Sequence, residues 1–131
     1  MKLTLATAYA IRALVHLAAG KEDRITASHV IAAAEGFPEP FLQRVLHRLV
    51  LARVLLGVKG PNGGYRLARP ADRITLLDVV EAVEGPLEGA APEVARGKLD
   101  EQLEEVCNRA AELVRQRLRR VSVQDLAAKG K

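Results

Sequence analysis

Between residues 53 and 68 the chain reads Arg53-Val54-Leu55-Leu56-Gly57-Val58-Lys59-Gly60-Pro61-Asn62-Gly63-Gly64-Tyr65-Arg66-Leu67-Ala68. Arg53–Val58 and Tyr65–Ala68 are short, largely apolar runs of the kind that form strands. Lys59–Gly64 between them holds the glycine, proline and asparagine of a turn. The stretch therefore predicts a β-hairpin. Lys59, Arg66 and the following Arg69 make it basic. Its tip, Gly60, Asn62 and Gly63, carries little side-chain bulk, so its backbone can approach a nucleic-acid groove closely. A nucleotide-cradling phosphate loop is a poor alternative, because no Gly-Lys-Ser/Thr follows and the next element is a strand, not a helix.

Upstream the period is helical. Leu5–Ala19 places Ala10, Leu14, Leu17 and Ala18 at helical spacing, and Gly20 ends it. Thr26 or Ser28 is the candidate cap of a short second helix through Ala34, stopped at Gly36. A third helix starts with Pro38 and Pro40 in its first turn and runs to about Ala52. Two short helices joined by a tight glycine-containing turn form a helix-turn-helix, and the hairpin directly behind them is a wing. At about 100° per residue, Phe41, Leu42, Val45, Leu46 and Leu49 of the third helix fall in one arc that faces the core. Gln43, Arg44, His47 and Arg48 fall opposite, with no acidic residue among them. These outward groups suit phosphates and base edges.

Downstream, Thr75 and Asp78 form a capping pattern for a fourth helix, Leu76–Glu84, closed by Gly85-Pro86. Residues 86–97 read as a loop. A long helix then runs from Lys98 to Arg120, about 33 Å at 1.5 Å per residue. Its apolar positions are Leu99, Leu103, Val106, Ala110, Leu113 or Val114, and Leu118. A chain this small cannot easily cover such a stripe, so the stripe predicts a helix–helix dimer interface. Ser122 and Asp125 cap a short last helix ending near Ala128. The expected fold is mainly α: a winged helix-turn-helix with a small β-hairpin wing and a long C-terminal dimerisation helix. Its divisions are a DNA-binding domain over 1–85, the loop over 86–97, and the dimerisation and final helices over 98–131.

Composition agrees. The 131 residues suffice for one compact domain, or for a small domain with a long appended helix. Aromatics reach 3% with no Trp, so the core is built from Leu, Val, Ile and Ala, which suits packed helices. No apolar run approaches the roughly 18 residues of a membrane span. Arg12 and His16 interrupt the N-terminal apolar stretch on a helical period, which points to an amphipathic helix and not a secretion signal. The single Cys excludes an intrachain disulfide framework, and the chain reads as cytoplasmic. Residues 1–70 hold ten Lys or Arg against four Asp or Glu, whereas 71–97 hold two against six. A basic first half beside an acidic middle fits a nucleic-acid-binding module tethered to another function.

The wing Val58-Lys59-Gly60-Pro61-Asn62-Gly63-Gly64-Tyr65-Arg66-Leu67-Ala68-Arg69-Pro70 and the following Ile74-Thr75-Leu76-Leu77-Asp78-Val79-Val80-Glu81-Ala82-Val83-Glu84-Gly85 resemble one bacterial regulator family. This is the winged helix-turn-helix family that includes the iron–sulfur regulator IscR, the nitric-oxide sensor NsrR and the cysteine-metabolism regulator CymR. Leu3-Thr4, Tyr9-Ala10, Phe41-Leu42 and Ser122-Val123-Gln124-Asp125-Leu126 fit as well, so the resemblance spans nearly the whole chain. It implies a homodimer built on the long helix, with the last helix crossing to the partner. Cluster-bearing members place three Cys between the fourth and the long helices; here residues 86–106 contain none. Cys107 falls where relatives place an aromatic core residue. His16, His29 and His47 lack metal-site spacing. No metal and no cofactor are therefore expected. Pro38 and Pro40 stand where relatives often carry hydroxyl residues, and Lys59 replaces a usual Arg, keeping charge without the planar fork.

The function expected is a sequence-specific, homodimeric transcriptional regulator, a repressor that occludes a promoter operator on double-stranded DNA without an iron–sulfur cluster. Gln43 and Arg44 would reach base edges. Lys2, His47, Arg48, Lys59 and Arg66 would hold phosphates, together with the backbone of the Gly60–Asn62–Gly63 tip. The competing reading is a protein-interaction module whose long helix binds a partner enzyme, and the Gln-Arg-His-Arg face argues against it. No nucleophile–base pair or carboxylate constellation marks an enzyme. A signal could enter through a small-molecule effector between domains, a protein effector, or oxidation of Cys107.

Overall fold

The computed structural model describes residues 1–21 and 23–129. Helix α1 spans Leu5–Ala19; the Thr4 hydroxyl accepts the Thr7 amide at its start, and the Gly20 amide reaches the Leu17 carbonyl at its end. Helix α2 spans Ser28–Glu35 and stops at Gly36, whose φ of 75° only glycine adopts freely. The expected cap of α2 is absent. Ala27 occupies the cap position, Thr26 is held in a β-bridge, and the Ser28 hydroxyl turns to Glu39 at 3.3 Å. Helix α3 spans Glu39–Leu51, with proline confined to its first positions.

The hairpin follows, with β1 over Leu55–Val58 and β2 over Gly64–Leu67 in antiparallel register, Leu55 opposite Leu67 and Val58 opposite Gly64. The first strand starts two residues later than the apolar run predicts. Arg53 sits at φ 61° and closes α3 through its amide to Val50 and the Val54 amide to Leu49, so the chain first turns and only then extends. Thr26 exchanges both backbone hydrogen bonds with Tyr65, at 2.9 and 2.8 Å, and flanks β2 on its other side. Gly64 lies so close to the Thr26 carbonyl that any β-carbon would collide with it. A three-residue 3₁₀ turn, Ala71–Arg73, leads to α4, Leu76–Glu84, which opens on the predicted Thr75/Asp78 capping box. Helix α5 spans Lys98–Arg119 and α6 spans Val123–Lys129, the latter started by reciprocal Ser122–Asp125 bonds of 2.9 and 3.0 Å.

The main core joins Leu14 of α1, Ile31 of α2, Leu42, Leu46 and Leu49 of α3, Leu55 of β1, Val79 of α4 and Val123 of α6. Tyr9 stacks on Phe37 at 4.0 Å and meets Phe41 edge-on at 5.2 Å, gathering three of the four aromatic residues at one place. A smaller cluster, Leu77, Val80 and Leu118 with Val114 and Leu87, seats the C-terminal half of α5 on α4. The resemblance implies a last helix that crosses to a partner. Instead α6 packs on α1 of its own chain: Val123 is buried, its amide reaches the Ile74 carbonyl at 2.8 Å, and the Leu76 amide reaches Val121 at 2.8 Å. Among the described residues no helix is long and apolar enough to cross a membrane.

One polar contact ties the two ends of this domain together. Thr7 is completely buried, and its hydroxyl donates to Glu84 Oε2 at the end of α4. The Thr4 amide and hydroxyl donate to the same oxygen at 3.1 and 3.2 Å. The Thr7 bond is the chief reason the Glu84 carboxyl sits below its usual range, against a smaller opposing effect of desolvation. A depressed folded-state pKa gives stability that is present above the unfolded value and lost as pH falls through the folded one. Thr7→Val keeps the volume and deletes the donor. It is expected to lower unfolding free energy at neutral pH by about 1–2 kcal/mol in denaturant titrations. The difference from wild type should shrink under acid conditions, where Glu84 is protonated in both proteins.

Candidate nucleic-acid interface

The outer face of α3 is built by its inner one. With Leu42, Val45, Leu46 and Leu49 buried, the 3.6-residue period turns Gln43, Arg44, His47 and Arg48 to solvent, and all four are exposed. Arg44 and His47 make no side-chain hydrogen bond or ion pair among the described residues, which leaves their donors available. Gln43 is held at the start of the face: its amide donates to Glu39 Oε1 at 3.2 Å and to Ser28 Oγ at 3.3 Å. Glu39 thus sits one turn before Gln43, an acidic neighbour that the four-residue face alone does not reveal. Arg48 donates to the Val83 carbonyl at 2.8 Å, a cation set against the C-terminal end of α4. One arm of that guanidinium is therefore committed to the fold.

Lys59, Gly60 and Asn62 are exposed at the wing tip. Gly63 is forced by the turn: a β-carbon there would strike the Val58 carbonyl. The two remaining arginines of the hairpin are drawn away from the tip. Arg66 pairs with Asp23 at 3.2 Å, and Arg69 pairs with Asp78 at 3.3 Å and donates to the Arg73 carbonyl at 2.8 Å. Lys2 is exposed just ahead of Thr4. Because Thr4 and Arg48 both dock at the end of α4, on Glu84 and Val83, Lys2 is placed on the side of the domain where α3 ends. The sequence assigns neither Thr7 nor Glu84 a role. A lone buried threonine has no local pattern that announces its partner 77 residues away.

Helix α5 carries a second exposed feature. Leu99, Leu103, Val106, Ala110 and Leu113 follow one another at alternating steps of four and three, and Leu99, Val106 and Leu113 are 67%, 65% and 61% exposed. Val114 and Leu118, assigned from sequence to the same stripe, turn inward onto Leu77 and Val80. The linker before α5 is fastened to the body. Leu87 donates to Glu81 at 2.8 Å, its carbonyl accepts from Arg115, and Gly89 lies directly against the Cys107 backbone. The Asp100 carboxylate accepts amides from Val94, Ala95 and Gly97, which hold its pKa down.

A helix-turn-helix with an apolar-anchored third helix, a basic outer face and a glycine-tipped hairpin beside it defines a winged helix-turn-helix protein. The chain belongs to the Rrf2 family, described as iron-dependent transcriptional regulators, whose sequence pattern matches residues 3–129. This is a family of regulators and not of enzymes. The protein aau3 of Rhizobium meliloti is 45% identical over 84 residues, which cover 64% of this chain and 54% of that one. The chain spans about half the length of the curated relatives it matches. Among solved structures, CymR (YrzC), the global cysteine regulator of B. subtilis, superposes with a TM-score of 0.80 at 23% identity over 98% of both chains. IscR of T. potens gives 0.74 at 22% identity, over 100% of this chain and 89% of that one. At such identities the likeness is one of fold.

Iron does not fit the residues present. The chain has one Cys, and among the described residues no three His, Cys, Asp or Glu side chains gather as a ligand set. Between α4 and α5, protein groups occupy the linker instead: Glu81 and Arg115 hold Leu87, and Gly89 abuts Cys107. A cluster needs about four ligands, mostly thiolates, and even two chains supply only two. Protein purified anaerobically is expected to be colourless and free of stoichiometric iron and acid-labile sulfide. Reconstitution to a stable chromophore with near-stoichiometric iron would contradict this.

Proposed function

We propose that this chain is a sequence-reading DNA-binding transcriptional regulator that acts as a homodimer without an iron–sulfur cluster. The observation that carries the reading is the α3 outer face. Arg44 and His47 stand free on a helix anchored by four buried side chains, beside a wing whose exposed tip bears Lys59. Gln43 and Arg44 read base edges, Arg preferring guanine and Gln adenine. Lys2, His47, Lys59 and the backbone of Gly60, Asn62 and Gly63 hold phosphates, which fixes register and conveys no sequence. Arg48 reaches a phosphate only with the donors left over from Val83, and Arg66 must first leave Asp23. Residues 1–85 form the DNA-binding part. The exposed seam of α5 pairs two chains, and promoter occlusion makes the protein a repressor.

A two-fold dimer sets two recognition helices about 34 Å apart, one turn of DNA. Selection from a random double-stranded library should therefore return a pseudo-palindrome with half-sites about 10 base pairs apart, centre to centre. Enrichment of no motif, or of a single unrepeated half-site, would defeat the reading.

A further inference from the structure

We propose that a cavity behind the wing binds a small organic polyanion, a carboxylate or phosphate with an apolar portion, and that its occupation weakens the wing's hold on DNA. The cavity of about 440 Å³ lies between the end of α1, Gly20, Lys21, Asp23 and Arg24, the base of β2 and the turn residues Ala71 and Asp72. That volume lies within the range of small-molecule sites, about 300–1,000 Å³. Leu17, Leu67 and Ala71 give it an apolar wall, and Lys21, Arg24 and Arg66 stand around it. Lys21 and Arg24 are exposed and make no ion pair or side-chain hydrogen bond among the described residues. Arg69 also lines the cavity, but its Nη1 is already held by Asp78 and the Arg73 carbonyl. Among the described residues of the wall, Lys21, Arg24 and Arg66 face two acids, Asp23 and Asp72, so the balance stays positive whichever carboxylate Arg66 holds.

The partner sought is small and is not a stretch of DNA backbone. No residue of α3 lines the cavity, and the lining residues of β2 lie at the strand end away from the Gly60–Gly63 tip. Gln124 of α6 forms part of the wall, so the site touches both the wing and the C-terminal helix. The Arg66–Asp23 pair is the movable part. Asp23 is 81% exposed, and an ion pair that open to water contributes little. A ligand carboxylate or phosphate can replace Asp23 on Arg66 while Lys21 and Arg24 close on its other oxygens. The bound anion adds negative charge beside β2 and so lowers the positive potential that the neighbouring wing presents to DNA. Linkage then requires DNA to weaken anion binding by the same factor.

The consequence for DNA rests on the function proposed above; the anion site does not, and the experiment separates them. Amide chemical shifts of the full chain are followed while citrate, or inorganic phosphate, is added at constant ionic strength. Saturable shifts confined to residues around 17–24, 66–72 and Gln124 are expected, at least tenfold weaker in a Lys21→Gln/Arg24→Gln variant. Both positions are exposed, so the fold should survive. Tighter binding of citrate marks a carboxylate ligand, and tighter binding of phosphate marks a phosphate ester; either order supports the site. Shifts that do not saturate, that extend equally to Arg44, His47 and Lys59, or that persist unchanged in the variant overturn it. In the second arm, citrate is expected to lower DNA affinity several-fold for wild type and not for the variant. Saturable anion binding without that effect overturns the regulatory half. A variant that loses DNA affinity as strongly as Lys59→Ala shows that these cations hold DNA phosphates and overturns the whole. Should no DNA be bound at all, the function fails while the first arm still decides the site.

Discussion

Val106→Asp/Ala110→Asp is expected to sediment as a monomer at concentrations where the wild type is expected to sediment as a dimer. Both residues are exposed on the outer face of α5, in a run whose four–three spacing is that of a two-stranded seam. Val114 and Leu118 do not share that run, because they hold α5 to α4 through Leu77 and Val80. The substitutions therefore leave the fold of the single chain untouched. In a symmetric interface each substitution occurs twice, so four carboxylates enter one apolar seam. Burying an unpaired charge costs several kcal/mol, so four of them should prevent the seam from closing. DNA affinity should fall with dimerisation, because two half-sites are then bound independently and the gain from tethering is lost. Circular dichroism should show unchanged helix content. If the double variant sediments as the wild type does, the chains meet through another surface, and the stripe has a different partner.

What could be read without coordinates, and what could not, divides by range. Helices α1 and α4 have the bounds their sequence implies, because Thr4, Gly20, Thr75 and Asp78 are local signals acting within one turn. The inner and outer faces of α3 follow from its period alone. The failures are contacts between distant residues. Thr26 was a candidate cap because nothing near it in sequence announces Tyr65 as a strand partner. Arg53 looked like strand because a left-handed residue other than glycine leaves no compositional mark. Arg66 and Arg69 look like free wing charges in the sequence because Asp23 and Asp78 come alongside only in the folded chain. For α5, an apolar residue every third or fourth position says that a face is covered; it cannot say whether α4 or a second chain covers it. The structure splits that stripe at Leu113 and Val114, consecutive residues on opposite sides of the boundary.

The same distinction between a committed and a free side chain separates reading from holding on DNA. Arg44→Ala is expected to cost about 1–3 kcal/mol on the best site and to relax preference at one or two base pairs per half-site. Gln43→Ala should act in the same direction and more weakly, since Gln43 must give up Glu39 and Ser28 before it reaches a base. Lys59→Ala should weaken binding to every sequence by a similar factor. It should also lower the slope of log K against log salt by roughly two, one phosphate contact per subunit. Arg66→Ala offers the internal comparison. Because Arg66 is paired with Asp23, its removal should change the salt slope less than Lys59→Ala does. Site selection with Arg44→Ala and salt titrations with Lys59→Ala and Arg66→Ala measure these differences directly. Recovery of the wild-type motif by Arg44→Ala and Gln43→Ala alike would mean that α3 does not read sequence. Specificity would then have to come from DNA shape, sensed by the wing and the phosphate contacts at positions that no side chain of α3 touches.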